Sequence, residues 1–350
     1  MQPKSGNLVS RFPLFVARRA VNAVVTIILM IALIFVIVHI VAPTPEDLAH
    51  FYTGRGCISQ SFCLQLAHRY GLDQPIYIQF WNYVVGVFQG NLGTDTIYQL
   101  PELQVLARFL PITLEMVVVG SVLGVVIGIF TGAIAASNRN TKTDYGIKGL
   151  YLMTWAAPPF LAAIVFQLIL AYYLNLLPTG NIANLTMTAP PVVTGLPMID
   201  SILAQNWAYL YSYLRHLVLP ALTIGVISFG SITRITRASM IDALDKDYVK
   251  LAYMKGLPKK SVVYGTAFRN AIIPIITLIA ITFAFAVGGA LVVEYIFNYH
   301  GIGYFTLQAV YAFDYPAVLA ITIIIGLSVI IANFIADILY GVMDPRVRLT

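Results

Sequence analysis

The sequence predicts an all-α polytopic membrane protein with six transmembrane helices and both termini in the cytoplasm. Three observations carry that expectation. Apolar residues make up 59% of the 350-residue chain and charged residues only 10%, with a mean hydropathy of +0.82, whereas soluble domains are about one quarter charged. Six apolar runs have the length needed to cross a hydrocarbon core of about 30 Å at 1.5 Å rise per residue. With the N-terminus inside, all but four of the 21 Lys and Arg residues fall in cytoplasmic segments, the asymmetry that orients membrane proteins. The exceptions are Arg55, Arg69, Arg108 and Arg215. Orientation thus accounts for the net charge of +6 without a nucleic-acid partner.

The first run, Ala20 to Val41, follows Lys4, Arg11, Arg18 and Arg19 and ends in Val41-Ala42-Pro43 without a small-residue cleavage pattern. It reads as a retained signal-anchor rather than a cleaved leader. Residues 43–107 form the longest loop and lie outside. Cys57 and Cys63 stand six positions apart there, on the oxidising side, and are expected to form a disulfide; two free thiols are the alternative. His50 and His68 lack finger-like spacing and no third thiol exists, so no metal site is expected. The stretch from Tyr70 to Asp95 mixes aromatic and polar residues and ends in a Gly-rich turn. It suits a helix lying along the outer membrane surface, with Trp81, Tyr83 and Phe88 at headgroup depth.

The second run, Leu110 to Ala135, places Gly120, Gly124, Gly128 and Gly132 at every fourth position, a groove along one helix face that lets another backbone approach closely. The third, Ile147 to Leu174, carries Pro158-Pro159, which removes two donors and bends or breaks the helix. The outer loop after it holds Asn184-Leu185-Thr186, a glycosylation acceptor pattern at Asn184. The fourth run, Leu217 to Ser231, is short and must borrow Ile232 to Ile235 to cross. The fifth and sixth are Ala271 to Tyr295 and Pro316 to Tyr340. His39, Glu115, Glu294 and Asp337 lie near the predicted span ends, where side chains reach headgroups or water. No chain of acids crosses the membrane centre, and coupling to an ion gradient is not supported.

Between the fourth and fifth runs, residues 236–270 form a strongly basic island. Ile241, Leu244, Tyr248 and Leu251 recur at helical spacing, Asp245 or Asp247 serves as an N-cap, and Gly256 before Pro258 is a stop signal. On the residues alone, this is a cytoplasmic helix between two turns, serving either to receive a soluble partner or only to orient the chain. Phosphate-loop, metalloprotease and nucleophile-elbow motifs are all missing, so no catalytic residues are expected. Any uphill movement must draw its energy from another chain.

The segment DYVKLAYMKGLPKKSVVYGTAFRNAIIP resembles the coupling loop of permease subunits of ATP-binding-cassette importers, in particular the first permease of oligopeptide and dipeptide systems. The resemblance extends over nearly the whole chain through YGLDQP, GNLGTD, LPITLEM, AAPPF, LRHLVLPALT, VVEYIFNYHGIG, DYPAV and MDPRVR. The family's Glu-Ala-Ala signature, counted back from Gly256, falls on Lys250, Leu251 and Ala252, so only the Ala and Gly remain. Tyr299-His300 stands where relatives more often carry Trp-Pro, and the cysteine pair is not a general family feature.

The resemblance implies the type I ABC importer permease fold, divided into an N-terminus with first helix (1–42), an extracytoplasmic loop (43–107) and a core permease domain (108–350). The partners implied are a second, homologous permease, two ATP-binding subunits and an extracytoplasmic solute-binding protein. ATP and Mg would be held by those partners, and the permease itself would bind no cofactor. In that reading Asp247 caps the coupling helix, Tyr248 and Leu251, with Leu257 beyond them, meet an apolar groove on the ATPase, Ala252 permits close approach and Gly256 ends the helix. Arg269 and Asn270 anchor the loop to the fifth span, and Pro274 sets its entry angle. Di- or oligosaccharide cargo is an alternative within the class; a secondary transporter or a membrane scaffold is the alternative outside it.

Two labelling outcomes are expected. Single cysteines at Lys142, Lys259 and Arg348, in a background lacking Cys57 and Cys63, should be shielded from an impermeant thiol reagent in right-side-out vesicles; labelling of any one from outside would overturn the topology. Peptide mapping of the unreduced wild-type chain should find Cys57 and Cys63 in one linked species, and their full alkylation without reductant would exclude the bridge.

Overall fold

The computed structural model describes residues 12–53 and 59–343. Helices dominate these residues, and the extended pairing is limited to one isolated bridge between Thr94 and Pro101. Four helices are long and apolar enough to cross a membrane, and two bent helix pairs raise the number to six if each pair is one span. The chain folds as two compact units, one of residues up to Thr113 with His300–Ile330, the other of Leu114–Tyr299 with the chain from Ile331 onward. The expected division at residues 42 and 107 follows membrane sides, whereas compactness divides the chain differently.

In the first unit, α1 (Phe12–Val41) is followed by three short helices, α2 (Pro45–Thr53), α3 (Gln60–Arg69) and α4 (Ile76–Phe88). Thr44 and Asp47 exchange hydrogen bonds at the start of α2, the Asp47 amide donating to Thr44 Oγ1 at 3.1 Å and the Thr44 amide to Asp47 Oδ2 at 3.3 Å, a reciprocal cap. The beginning of α5 (Glu102–Ser137), α13 (Ile302–Tyr311) and α14 (Tyr315–Met343) as far as Ile330 complete the unit. Its core gathers Ile31, Val84, Leu106, Phe305 and Ile321, and the rings of Phe109 and Phe305 stack at 4.9 Å. The surface helix expected after Tyr70 is α4, with Trp81 and Phe88 exposed. Tyr83 departs from that expectation: it turns inward against the core, because it shares a face with Phe80 and Val87, both packed against that core, rather than with Trp81. Cys63 is buried among Leu48, Ala49 and Ala67; Cys57, and with it the expected bridge, lies outside the described residues.

The second unit contains the rest of α5, α6 (Lys142–Ala156), α7 (Pro159–Phe166), α8 (Pro197–Leu203), α9 (Trp207–Leu244), α10 (Asp247–Met254), α11 (Lys259–Ser261) and α12 (Phe268–Ile296). The third expected span is broken, with its two arms at 107°. The cause is local. A residue before proline is driven out of the helical region, and Pro158-Pro159 imposes this twice: Ala157 has ψ 126° and Pro158 ψ 144°. The fourth expected span, too short on hydropathy, is the interior of a 38-residue helix, α9, about 57 Å long at the α-helical rise. Its polar ends project past any hydrocarbon core, which is why an apolar window finds only its middle.

The glycine stripe of α5 lies against α9. A Cβ at Gly120 would stand 2.7 Å from the Ala221 carbonyl oxygen, one at Gly124 2.5 Å from that of Gly225, and one at Gly132 2.6 Å from Thr236 Cβ. Thr131 and Thr233 add a hydroxyl–hydroxyl bond of 3.1 Å across the same seam. Alanine at Gly124 should therefore destabilise the purified protein by about 1–3 kcal/mol through overpacking. Gly146→Ala on α6, where nothing lies within 4 Å of the added methyl, should instead leave stability unchanged or raise it by about 0.5–1 kcal/mol. Equal melting temperatures for the two variants would contradict the seam.

Candidate functional site

The basic island folds as a hook. α9 ends at Leu244, Asp245 and Lys246 turn the chain, and α10 follows immediately. Ile241 and Leu244 thus belong to α9 rather than to the same helix as Tyr248 and Leu251. The N-cap position is occupied by Lys246, without a side-chain cap. Asp247 is the first helical residue, a correction to its expected capping role. Its carboxylate favours the positive end of the helix dipole and pairs with Lys250 Nζ at 2.9 Å; that hydrogen bond holds the Asp247 carboxyl below the usual range.

Two faces of α10 differ sharply. Val249 and Ala252 are buried in a cluster with Ala133 and Ala136 of α5, Met240 and Ala243 of α9, and Val262, Val263 and Ala267 beyond Pro258. Ala252 therefore permits close approach to this chain's own helices. The opposite face presents Tyr248, Leu251 and Met254, 39%, 53% and 82% exposed, with Leu257 after the turn at 41%. Tyr248, Leu251 and Met254 stand three residues apart along one side of the helix.

The helix stop is a Schellman turn. Gly256 has φ +76°, its amide donates to the Tyr253 carbonyl at 2.9 Å, and the Leu257 amide reaches the Ala252 carbonyl at 3.3 Å. These are the two bonds that define the motif and satisfy carbonyls left open at a helix end. After Pro258, α11 leads through a π-helical segment, Val262–Ala267, into α12. Arg269 and Asn270 are exposed, and Asn270 Nδ2 donates to the Thr266 carbonyl at 2.9 Å, a bond within the same rod. Pro274 lies at a 60° bend between Lys259–Ile272 and Pro274–Phe283.

A buried ion pair braces the base of the hook. Asp144 is fully buried, and Arg237 of α9 donates to both its oxygens, from Nε at 2.7 Å and from a terminal nitrogen at 2.9 Å. The Asn140 amide and Lys148 Nζ, each at 3.0 Å, complete the shell. The forked geometry suits guanidinium and carboxylate. Sequence reasoning counted Arg237 only as an orienting charge and passed over Asp144. The Thr141-Lys-Thr-Asp144 cap pattern was the available signal, and Thr141 is indeed the N-cap of α6.

Elsewhere in the second unit, Glu115 is buried rather than at an interface. Tyr213 donates to its carboxylate, Tyr299 donates to the Tyr213 hydroxyl at 2.9 Å, and the Met198 amide donates to Glu115 at 3.2 Å. Glu294 is fully buried as well. Asn184 is exposed beside a cleft of about 720 Å³ whose walls include Tyr211, Arg215 and His216. Its side-chain oxygen accepts from the amide and hydroxyl of Thr186 at 3.1 and 3.0 Å.

Comparison with known proteins places this hook in a family. Residues 124–349 match the model of the binding-protein-dependent transport system inner membrane component, and residues 12–101 match the N-terminal model of such membrane components. The chain belongs to this permease family. The di/tripeptide transport system permease protein DppB of Pseudomonas aeruginosa is 31% identical over 95% of this chain and 98% of its own. The dipeptide permease protein DppB of Escherichia coli is 30% identical with the same coverage. The oligopeptide permease protein AppB of Bacillus subtilis is 32% identical over 83% of this chain and 86% of its own. Among solved structures, a chain of the inward-facing MetNI methionine ABC transporter aligns with TM-score 0.52 at 15% identity, covering 69% of this permease and 97% of that chain. That likeness speaks to fold alone, the type I ABC importer permease fold. The permease is a multi-pass membrane protein without an ATPase motif of its own.

Because Asp144 and Arg237 lose water together, removing one charge strands the other. Asp144→Asn should cost about 3 kcal/mol or more in thermal unfolding of the purified permease, while a paired apolar replacement, Asp144→Leu with Arg237→Met, should recover most of that loss. A single variant as stable as wild type would remove the brace from the hook.

Proposed function

We propose that this permease carries di- or oligopeptides across the cytoplasmic membrane by alternating access, paired with a second, homologous permease. Two ATP-binding subunits, which hold ATP and Mg, would dock on the hook, and an extracytoplasmic solute-binding protein would deliver cargo from the other side. Both termini then face the cytoplasm. The observation that carries this reading is the exposed stripe of Tyr248, Leu251 and Met254, continued by Leu257 after the turn, on a helix whose other face is buried in its own chain. An orienting loop needs charge but has no use for four exposed apolar side chains on a rigid seat. The DppB and AppB relatives are all peptide permeases by name, which favours peptide over oligosaccharide cargo.

Gly256→Val tests the docking role. A side chain at this position meets no atom within 4 Å, so the permease should insert and fold normally. The left-handed backbone is what valine resists, by roughly 1–2 kcal/mol or more, and Asn tolerates it. Gly256→Val should therefore lose the ATP-binding subunits or labelled-peptide uptake, and Gly256→Asn should retain both. Wild-type uptake and co-purification in the valine variant would leave only an orienting loop.

A further inference from the structure

We infer that the first unit contains a binding site for a divalent cation of the calcium class, built from Asp95, Glu102 and Asp314. The three acids come from distant segments: Asp95 from the Gly-rich turn after α4, Glu102 from the first turn of α5, and Asp314 from the residue preceding α14. All three are fully buried. One carboxylate oxygen from each lies within 4.8 Å of the others.

Two of the acids are partly engaged by neighbouring amides and a hydroxyl. Asp314 accepts from the Thr96 amide and hydroxyl, both at 2.6 Å, and from the Ala317 amide at 3.1 Å. Asp95 Oδ1 accepts from the Tyr98 amide. Glu102 is different. Neither of its oxygens has a hydrogen-bond partner among the described residues, and Asp95 Oδ2 has none either. The Tyr83 hydroxyl, also buried and unpartnered, lies with Asp95 on the wall of a cavity of about 290 Å³. Buried polar atoms are almost always paired, and here three carboxylate oxygens of one cluster are orphaned acceptors.

Two kinds of occupant relieve such a cluster. A proton shared by Asp95 and Asp314 would ease that pair; burial, and then the Asp314 charge, already push the Asp95 carboxyl upward. It would leave both Glu102 oxygens without a partner. A proton on Glu102 instead, whose carboxyl burial and then the Asp314 and Asp95 charges push up to about 8, would pair only one of its two orphaned oxygens. A cation draws on all three acids at once. Hard oxygen donors select Ca2+ or Mg2+, and acids already held by other hydrogen bonds suit the larger ion, because Ca2+ takes ligands at about 2.3–2.6 Å in a flexible shell while Mg2+ demands about 2.1 Å and near-ideal octahedra. The cation would tie the Gly-rich turn, the start of α5 and the start of α14 together, a staple for the first unit. Its placement outside the cell rests on the proposed topology; the site itself does not.

The test uses the full-length permease, purified in detergent and freed of cations by chelator. Tb3+, excited through nearby tyrosines, should bind at one equivalent and be displaced by Ca2+, and Ca2+ should raise the melting temperature. Glu102→Gln keeps the shape and removes one charge; it should weaken Tb3+ and Ca2+ binding about tenfold or more yet melt no lower than wild type in chelator, where like-charge repulsion is reduced. Asp95→Asn carries the same comparison should the first variant not be recovered folded. Absence of any Ca2+ response in wild type, or an equal response in the variants, overturns the site. So does stability in chelator that rises on acidification while Ca2+ has no effect, the signature of a shared proton.

Discussion

The close approach of α5 and α9 is the constraint on which the second unit depends. In lipid there is no hydrophobic drive to bring two helices together, so contact area and direct backbone proximity must do it. Gly120, Gly124, Gly128 and Gly132 remove side chains along one line, and α9 answers with Ala221, Gly225, Ser228, Ile232 and Thr236 in register. A helix locked along this length becomes a rigid reference. The α6 brace through Asp144 and the buried face of α10 are both referred to it.

The seating of α10 depends on that reference. Val249 and Ala252 contact residues at the ends of α5 and α9, so the position of the short helix is set by the two long ones rather than by its own eight residues, too few to be stable alone. The Schellman turn at Gly256 then fixes where the chain leaves. A surface helix with one face so committed presents its other face in a single orientation, the condition under which a few exposed apolar side chains make a specific docking surface.

Much of this was legible in the sequence wherever the signal was periodic or local. Hydropathy located the long helices, glycine spacing located the seam, and Gly256 announced the helix stop. What escaped detection was pairing over distance. Nothing near Asp144 points to Arg237, 93 residues on, and an acid close to a predicted span end, such as Glu115, reads as interfacial until Tyr213 and Tyr299 are seen to enclose it. Tyr83 was misread because an aromatic at a surface helix satisfies a headgroup and a core equally well; only the neighbouring elements choose. The length of α9 was hidden because its ends are polar, and hydropathy reports the apolar middle alone.

The π-helical segment Val262–Ala267 has a mechanical consequence. A π turn holds an extra residue relative to an α turn, and its hydrogen bonds are readily exchanged for the tighter pattern. Moving that surplus residue along the rod rotates the helix beyond it by about 100° and shifts it by about 1.5 Å. Because the segment stands between α10 and α12, the chain carries one residue of slack between the short surface helix and the long apolar one. Strain applied at one end has a discrete step in which to be absorbed or passed on, instead of a continuous spring.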